Sequence, residues 1–314
     1  MTRNELKRQR WFELGETAAR ALTNGHVSGC YVCPLCSRGY TDVRAVRLEH
    51  APPKSLGGKM VALTCVNCNT VTGSPLEAHL KRFAQLVDLY EGTSQDWITA
   101  QFGVRGGTTT VNTLARRVDG GTFEIVGSPQ HNNPVVTEIH NAENEAMVDG
   151  PVSGQGWTIS HPHHAYVPAN VAAALLKSAF VVTFARFGYR WAMQPALDPV
   201  RAQIADPLGS HIERFFLSFG GAPRDARYLL SVIRPRSMRC ILVAIGRHWM
   251  FLPHCGRGSE TLYDRLAARK TWPPPPRSIR FTHFVEHEWP TSPTHVLDRG
   301  VPWPAREVRV DAIA

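Results

Sequence analysis

Two Cys-x-x-Cys pairs, Cys33/Cys36 and Cys65/Cys68, constrain this chain more than any other feature of its sequence. Each pair belongs on a tight turn, and two such turns supply the four thiolates of a tetrahedral zinc site, each sulfur about 2.3 Å from the metal. Zinc held in this way would staple its segment shut. Beside the thiols stand Glu49, His50 and Asn69, a carboxylate, an imidazole and an amide. These are the residue types that metal-assisted hydrolysis of a phosphodiester requires. An imidazole with its ordinary pKa of about 6.5 can take a proton from water near neutral pH. A hard cation such as Mg2+ takes oxygen ligands and keeps several waters. Cys30 is expected to be a small buried side chain rather than a fifth ligand, and Cys240 and Cys255 are expected to be free.

Written out, the segment reads CPLC, LEHAPPKSLGGK and LTCVNCNTVTG. On these residues the chain resembles the HNH endonuclease family, over roughly Cys33 to His79. The resemblance implies a ββα-metal fold holding one catalytic divalent cation, Mg2+ or Mn2+, with structural Zn2+ on Cys33, Cys36, Cys65 and Cys68. It implies that His50 is the general base and that Glu49, where most of the family has aspartate, binds the catalytic metal together with Asn69. The turn from Pro53 to Gly57 and Gly58 matches the family's loop between the first strand pair and the helix. One position departs from the pattern: Met60 stands where the family carries the asparagine that orients the base. Methionine cannot make that hydrogen bond. An alternative therefore stays open, a catalytically silent zinc-scaffolded module that binds nucleic acid or protein. Glu77 and His79 follow on the next helix, where they are expected to be solvated.

The remaining composition agrees with a polyanion partner without proving one. The 314 residues carry a formal net charge of +9 and 43% hydrophobic residues, so the chain can bury sizeable cores and attract phosphate. Nucleic acid, with DNA as the expected substrate, is the partner this implies; a protein partner or a second copy of the chain is left open. The first residues, MTRNELKRQRWFELGETAARAL, are too polar for a signal peptide, and no uninterrupted apolar run suits a membrane span. A cytoplasmic protein is expected.

Along the chain the expectation is an α+β protein in four parts: an N-terminal helix in 1–25, the zinc-stapled HNH-like domain in 26–95, a small β-rich segment in 96–150 and an α+β domain in 151–314. Leu6, Trp11, Leu14, Ala18 and Leu22 form the apolar stripe of the first helix, whose outer face is basic. Leu76, Leu80, Phe83, Leu86 and Leu89 form the stripe of a helix leaving the metal site. Thr108 to Val111 and Phe123 to Val126 suggest antiparallel strands, with Gly106-Gly107 and Gly120-Gly121 at turns and Glu138, Glu143 and Glu145 on a solvated loop.

In the last part a strand is expected at Trp157 to Ser160, then a polar loop holding His161, His163 and His164. Pro168 should open a core helix running to Gly188, with Lys177 reaching outward along its aliphatic stem. Short helices are expected at Ala196 to Ala205 and His211 to Leu217. Strands are expected at Tyr228 to Ile233, Arg239 to Ile245 and His248 to Leu252, the last two as a hairpin. Trp272 and Pro273 to Pro276 read as a stiff spacer, with edge strands within 278–290 and 306–311. The role of 151–314 is not legible beyond positioning a substrate or partner.

Overall fold

A computed structural model describes residues 2–23, 25–91, 97–118, 122–127, 131–149, 156–160, 166–218, 225–255, 258–270, 283–293 and 309–310. The chain is mixed α+β and divides into two units, residues 1–78 with 168–314, and residues 79–167. The four-cysteine segment and most of the C-terminal part therefore belong to one unit, and the chain between them forms the other.

The first unit opens with helix α1, Arg3–Leu22. Thr2 caps it: the Thr2 hydroxyl accepts from the Glu5 backbone N–H at 3.3 Å, and the Glu5 carboxylate accepts from the Thr2 N–H at 2.6 Å. The helix buries Trp11, Phe12, Ala18, Ala19 and Leu22, whereas Leu6, expected in the same stripe, is exposed. Strands β1 (Tyr31–Val32) and β2 (Arg38–Tyr40) form a short hairpin carrying Cys33 and Cys36 on its turn. A second hairpin follows, β3 (Val46–Ala51) with β4 (Lys59–Cys65). A π-helical turn, Asn67–Val71, carries Cys68 and Asn69 and leads into α2, Gly73–Glu91. Of the stripe expected on α2, Leu76, Leu80, Leu86 and Leu89 are buried.

Helix α4, Pro168–Ala192, is the centre of this unit. It packs on β3 and β4 and also on β11 (Cys240–Ile245) and β12 (His248–Pro253). A helix covered on both sides must be apolar nearly all round, and the run from Val171 to Ala185 is buried throughout. The same property makes it, among the described residues, the one helix long and apolar enough to cross a membrane, yet 89% of that window is buried within the protein. Gly188, at φ 71°, breaks the helix where its end was expected, and a short helical segment continues across the kink to Ala192.

Helix α5 (Asp198–Ala205) follows, and β11 and β12 lie inside an antiparallel five-stranded sheet. Its order is β13 (His283–His287), β10 (Arg227–Arg234), β11, β12 and β9 (Phe216–Ser218). The expected hairpin turns at Gly246-Arg247, since Ile245 pairs with His248. Helix α6 (Leu262–Ala267) follows the sheet, and β14 (Arg309–Val310) pairs parallel with β2. The helix expected over His211 to Leu217 is absent; the chain there bends through His211 to Arg214 and then enters β9, where Phe216 to Ser218 pair with β12. Edge pairing has overridden a weak local pattern.

The second unit holds an antiparallel sheet of order β7 (Phe123–Gly127), β6 (Thr110–Arg117), β5 (Ile98–Val104) and β8 (Trp157–Ser160). Helix α3, Pro134–Asp149, packs on β5 and β6. It corrects the expectation of a solvated loop at Glu138, Glu143 and Glu145. Glu143 instead accepts hydrogen bonds from Thr108 N–H and Oγ1, both at 2.7 Å, and from Thr109 Oγ1 at 2.8 Å. Those three donors hold its carboxyl down to a pKa of about 2. Gly120-Gly121, the His161, His163 and His164 cluster and the Trp272 to Pro276 spacer lie outside the described residues.

Candidate metal centre and the two faces of its hairpin

The two cysteine pairs, separated in sequence, converge because β4 ends beside the β1–β2 turn. The Sγ atoms of Cys33, Cys36, Cys65 and Cys68 all lie within 4.8 Å of one another, and those of Cys36 and Cys65 are 3.8 Å apart. A tetrahedron with bonds of about 2.3 Å has edges of about 3.8 Å, so this donor set fits a metal such as zinc. Backbone N–H groups support the sulfurs, Cys65 N–H to Cys33 Sγ at 3.3 Å and Cys68 N–H to Cys65 Sγ at 3.4 Å. Hydrogen bonds from the neighbouring thiols, Cys33 foremost, hold the Cys65 thiol well below its ordinary pKa. Cys30 is buried and is not part of the cluster. Cys240 and Cys255 form no disulfide among the described residues.

The frame is gripped by side chains from far along the chain. Tyr31 donates to the Leu63 carbonyl at 2.6 Å, and Tyr189 of α4 donates to the Val32 carbonyl at 2.8 Å. Arg201 of α5 is buried and donates to the Pro34 carbonyl at 3.0 Å from inside the Cys33/Cys36 turn. It also donates to the Ala192 carbonyl and pairs with Asp198. No local pattern in the sequence announces Tyr189 or Arg201.

Glu49 and His50 are neighbours on β3, and strand geometry turns neighbours to opposite faces. Glu49 faces inward and is 2% exposed. Its Oε2 accepts from Thr64 Oγ1 and from Asn69 Nδ2, both at 2.6 Å, and its Oε1 meets Lys177 Nζ at 2.7 Å. Lys177 also reaches Glu77 Oε1 at 3.1 Å. Burial alone would lower the Lys177 pKa, but the Glu49 and Glu77 carboxylates outweigh it and hold the ammonium above its ordinary value. Burial pushes the Glu77 carboxyl up, and Lys177 opposes that push. Lys177 therefore does not reach outward to solvent as expected: its side chain is 3% exposed and points from α4 into the β3–β4 hairpin. Glu77 is tied into this cluster rather than solvated. His79 accepts a hydrogen bond from the Val167 N–H at 3.1 Å.

His50 faces the other way. Its Cα partner across the hairpin is Met60, and an extra residue, Val61, bulges β4 between the Glu49–Ala62 and His50–Met60 pairs. Directly opposed residues project to one face, so the methionine sits beside the imidazole. No hydrogen bond to the His50 ring is found among the described residues. Burial lowers the His50 pKa, Glu49 opposes this, and the Lys54 and Lys7 ammonium groups lower it further. Met60 lines a groove of about 600 Å³ together with Arg3, Asn4, Leu6, Lys7, Arg10, Trp11 and Ser292. Lys7 stacks 4.4 Å over the Trp11 ring. The basic face of α1, visible in the sequence, is thus brought to His50, which the sequence did not foretell.

The structure therefore brings Glu49 and Asn69 together, as the resemblance implies, but with the amide donating to the carboxylate. Both Glu49 oxygens are engaged and no face of the carboxylate opens to solvent. Mg2+ or Mn2+ needs oxygen ligands at about 2.1 Å and room for its retained waters. The pocket holds an ammonium group instead and does not fit such an ion. In comparisons with known proteins, no family model, no curated protein and no solved structure matches the chain.

Proposed function

We propose that the chain is an endonuclease that hydrolyses phosphodiester bonds in nucleic acid, with DNA as its expected substrate, zinc on its four cysteines as scaffold and His50 as general base. The observation that carries this reading is the basic groove beside a half-buried imidazole that makes no salt bridge among the described residues. Arg3, Lys7 and Arg10 lie along one side, and Lys54 is close enough to act on the imidazole. Such a groove can follow a phosphate backbone. His50, its pKa lowered, is neutral at physiological pH and can accept a proton as water attacks phosphorus. The P–O bond to the leaving oxygen then breaks, and that oxygen takes a proton from solvent. Ammonium groups at the groove offset the charge gathering on the phosphoryl oxygens. No step is routed through a divalent cation, because the Glu49 pocket does not fit one.

The test is cleavage of supercoiled plasmid by zinc-loaded protein with Mg2+, Mn2+ or EDTA, beside His50→Ala. Expected is nicking that the substitution abolishes while zinc content and melting temperature stay unchanged. Equal cutting by His50→Ala would overturn the assignment. One observation favours a second reading, a silent binding module: Met60 opposes His50 and offers no amide to orient it. Tight nucleic-acid binding with no cleavage under any condition would favour that module.

A further inference from the structure

We propose that Lys177 is the resident cation of the Glu49 pocket and that this pocket takes no divalent metal. For its bearing on cleavage this rests on the endonuclease reading; for metal binding it stands alone. A carboxylate buried beside an amide and a second carboxylate needs a positive centre. The chain supplies one covalently, from the middle of its most buried helix. The Lys177 ammonium makes two contacts, to Glu49 at 2.7 Å and to Glu77 at 3.1 Å.

The surrounding chain is shaped around that ammonium. Gly73, at the start of α2, lies where any Cβ would collide with Lys177 Nζ and stand 2.8 Å from the Cys68 carbonyl. A side chain there would push the lysine out of the cluster. Thr64 and Asn69 both donate to Glu49 Oε2 while Lys177 meets Oε1, so each oxygen of the buried carboxylate has a donor from the protein itself. Lys177 is accordingly a positioning residue. It fixes Glu49, which holds Asn69 and the turn bearing Cys68, and it joins the core helix to the four-cysteine frame.

The experiment is Mn2+ titration of the zinc-loaded full-length chain, followed by electron paramagnetic resonance, for wild type, Glu49→Gln, Lys177→Met and the double variant. Wild type should show no bound Mn2+ that Glu49→Gln removes. Lys177→Met should bind Mn2+ at least about tenfold more tightly, because a like charge has left the pocket, and the double variant should lose that gain. One equivalent bound by wild type and lost in Glu49→Gln overturns the proposal. If Lys177→Met does not fold, the comparison of wild type with Glu49→Gln decides alone. Cleavage separates this idea from the endonuclease reading. A protein that cuts nothing yet binds no Mn2+ through Glu49 keeps the lysine assignment and loses the nuclease. A protein that cuts only with Mn2+ bound through Glu49 does the reverse.

Discussion

The two faces of the β3–β4 hairpin differ more than their one-residue separation in sequence suggests. On the inner face Glu49 is buried, each oxygen has a donor, and its countercharge comes from α4. On the outer face His50 is half-buried, its ring lacks a hydrogen bond among the described residues, and burial together with the Lys54 and Lys7 ammonium groups outweighs Glu49 in disfavouring its protonated form. The first arrangement is that of a structural cluster and the second that of a group left available to react. Strand alternation alone separates them. A Glu-His dipeptide taken as one catalytic unit therefore conflates two environments.

If the four-cysteine frame holds zinc, its removal should erase the contrast, because both faces hang on β4 and on the turn after it. Structural zinc sites contribute apparent binding energies of about 10–16 kcal/mol, which become folding energy. Cys65→Ser, or a strong chelator, should abolish cooperative unfolding of residues 1–78 with 168–314, seen as loss of the main thermal transition together with zinc loss. A full transition in metal-free protein would show that the thiols pack as a simple core.

The next largest effect separates the faces. Glu49→Gln leaves Lys177 buried without its closest countercharge and should cost about 3–5 kcal/mol in chemical denaturation. Glu49→Gln with Lys177→Met removes both charges and should cost less than the single substitution. His50→Ala should move the same curve by under about 0.5 kcal/mol, as for surface positions lacking special contacts. Equal costs at 49 and 50 would break the comparison.

The sequence showed the four thiols, the helices on either side of the hairpin and four strands of the five-stranded sheet, β9 excepted, because each is a local pattern: paired spacing, a helical stripe, alternation. It could not show the pairing of Lys177 with Glu49, which joins residues far apart along the chain; a lysine in an apolar run reads equally well as one reaching for solvent. Glu138, Glu143 and Glu145 misled for a related reason. Their charges suggested a loop, although α3 needs only one face on its sheet and Glu143 spends its charge on Thr108 and Thr109.

The outer face is sharpened by charge and by pH. Arg3→Ala and Arg10→Ala should each lower nucleic-acid affinity and reduce the log–log salt slope by about 0.9 if each residue meets one phosphate. An unchanged slope would place the backbone elsewhere. The folded His50 pKa lies below its ordinary value, so the unfolded chain binds that proton more readily. Stability on this account falls as pH drops below about 6.5 towards the lowered value, and His50→Ala should remove that slope. The acid limb of cleavage should likewise have its midpoint below about 6.5. Lys177, its pKa raised, contributes stability that is present below the ordinary lysine value and lost only as pH rises through the raised one, so Lys177 adds no slope over the same acid range.

The smallest change is the most discriminating for the imidazole. Met60 is half-exposed and directly opposes His50, so Met60→Asn removes little buried apolar surface and should alter stability by under about 1 kcal/mol. It places an amide beside a ring for which no hydrogen bond is found among the described residues. If His50 is a base that lacks only orientation, the substitution should raise the cleavage rate without changing nucleic-acid affinity, since the groove cations are untouched. A gain in rate that disappears in Met60→Asn/His50→Ala would locate the chemistry on the outer face. No gain, with binding intact, would mean that the imidazole is already held well enough by packing against the hairpin, or that this face binds without cutting. The wild-type plasmid assay separates those two outcomes, because only the first leaves His50-dependent cleavage in place.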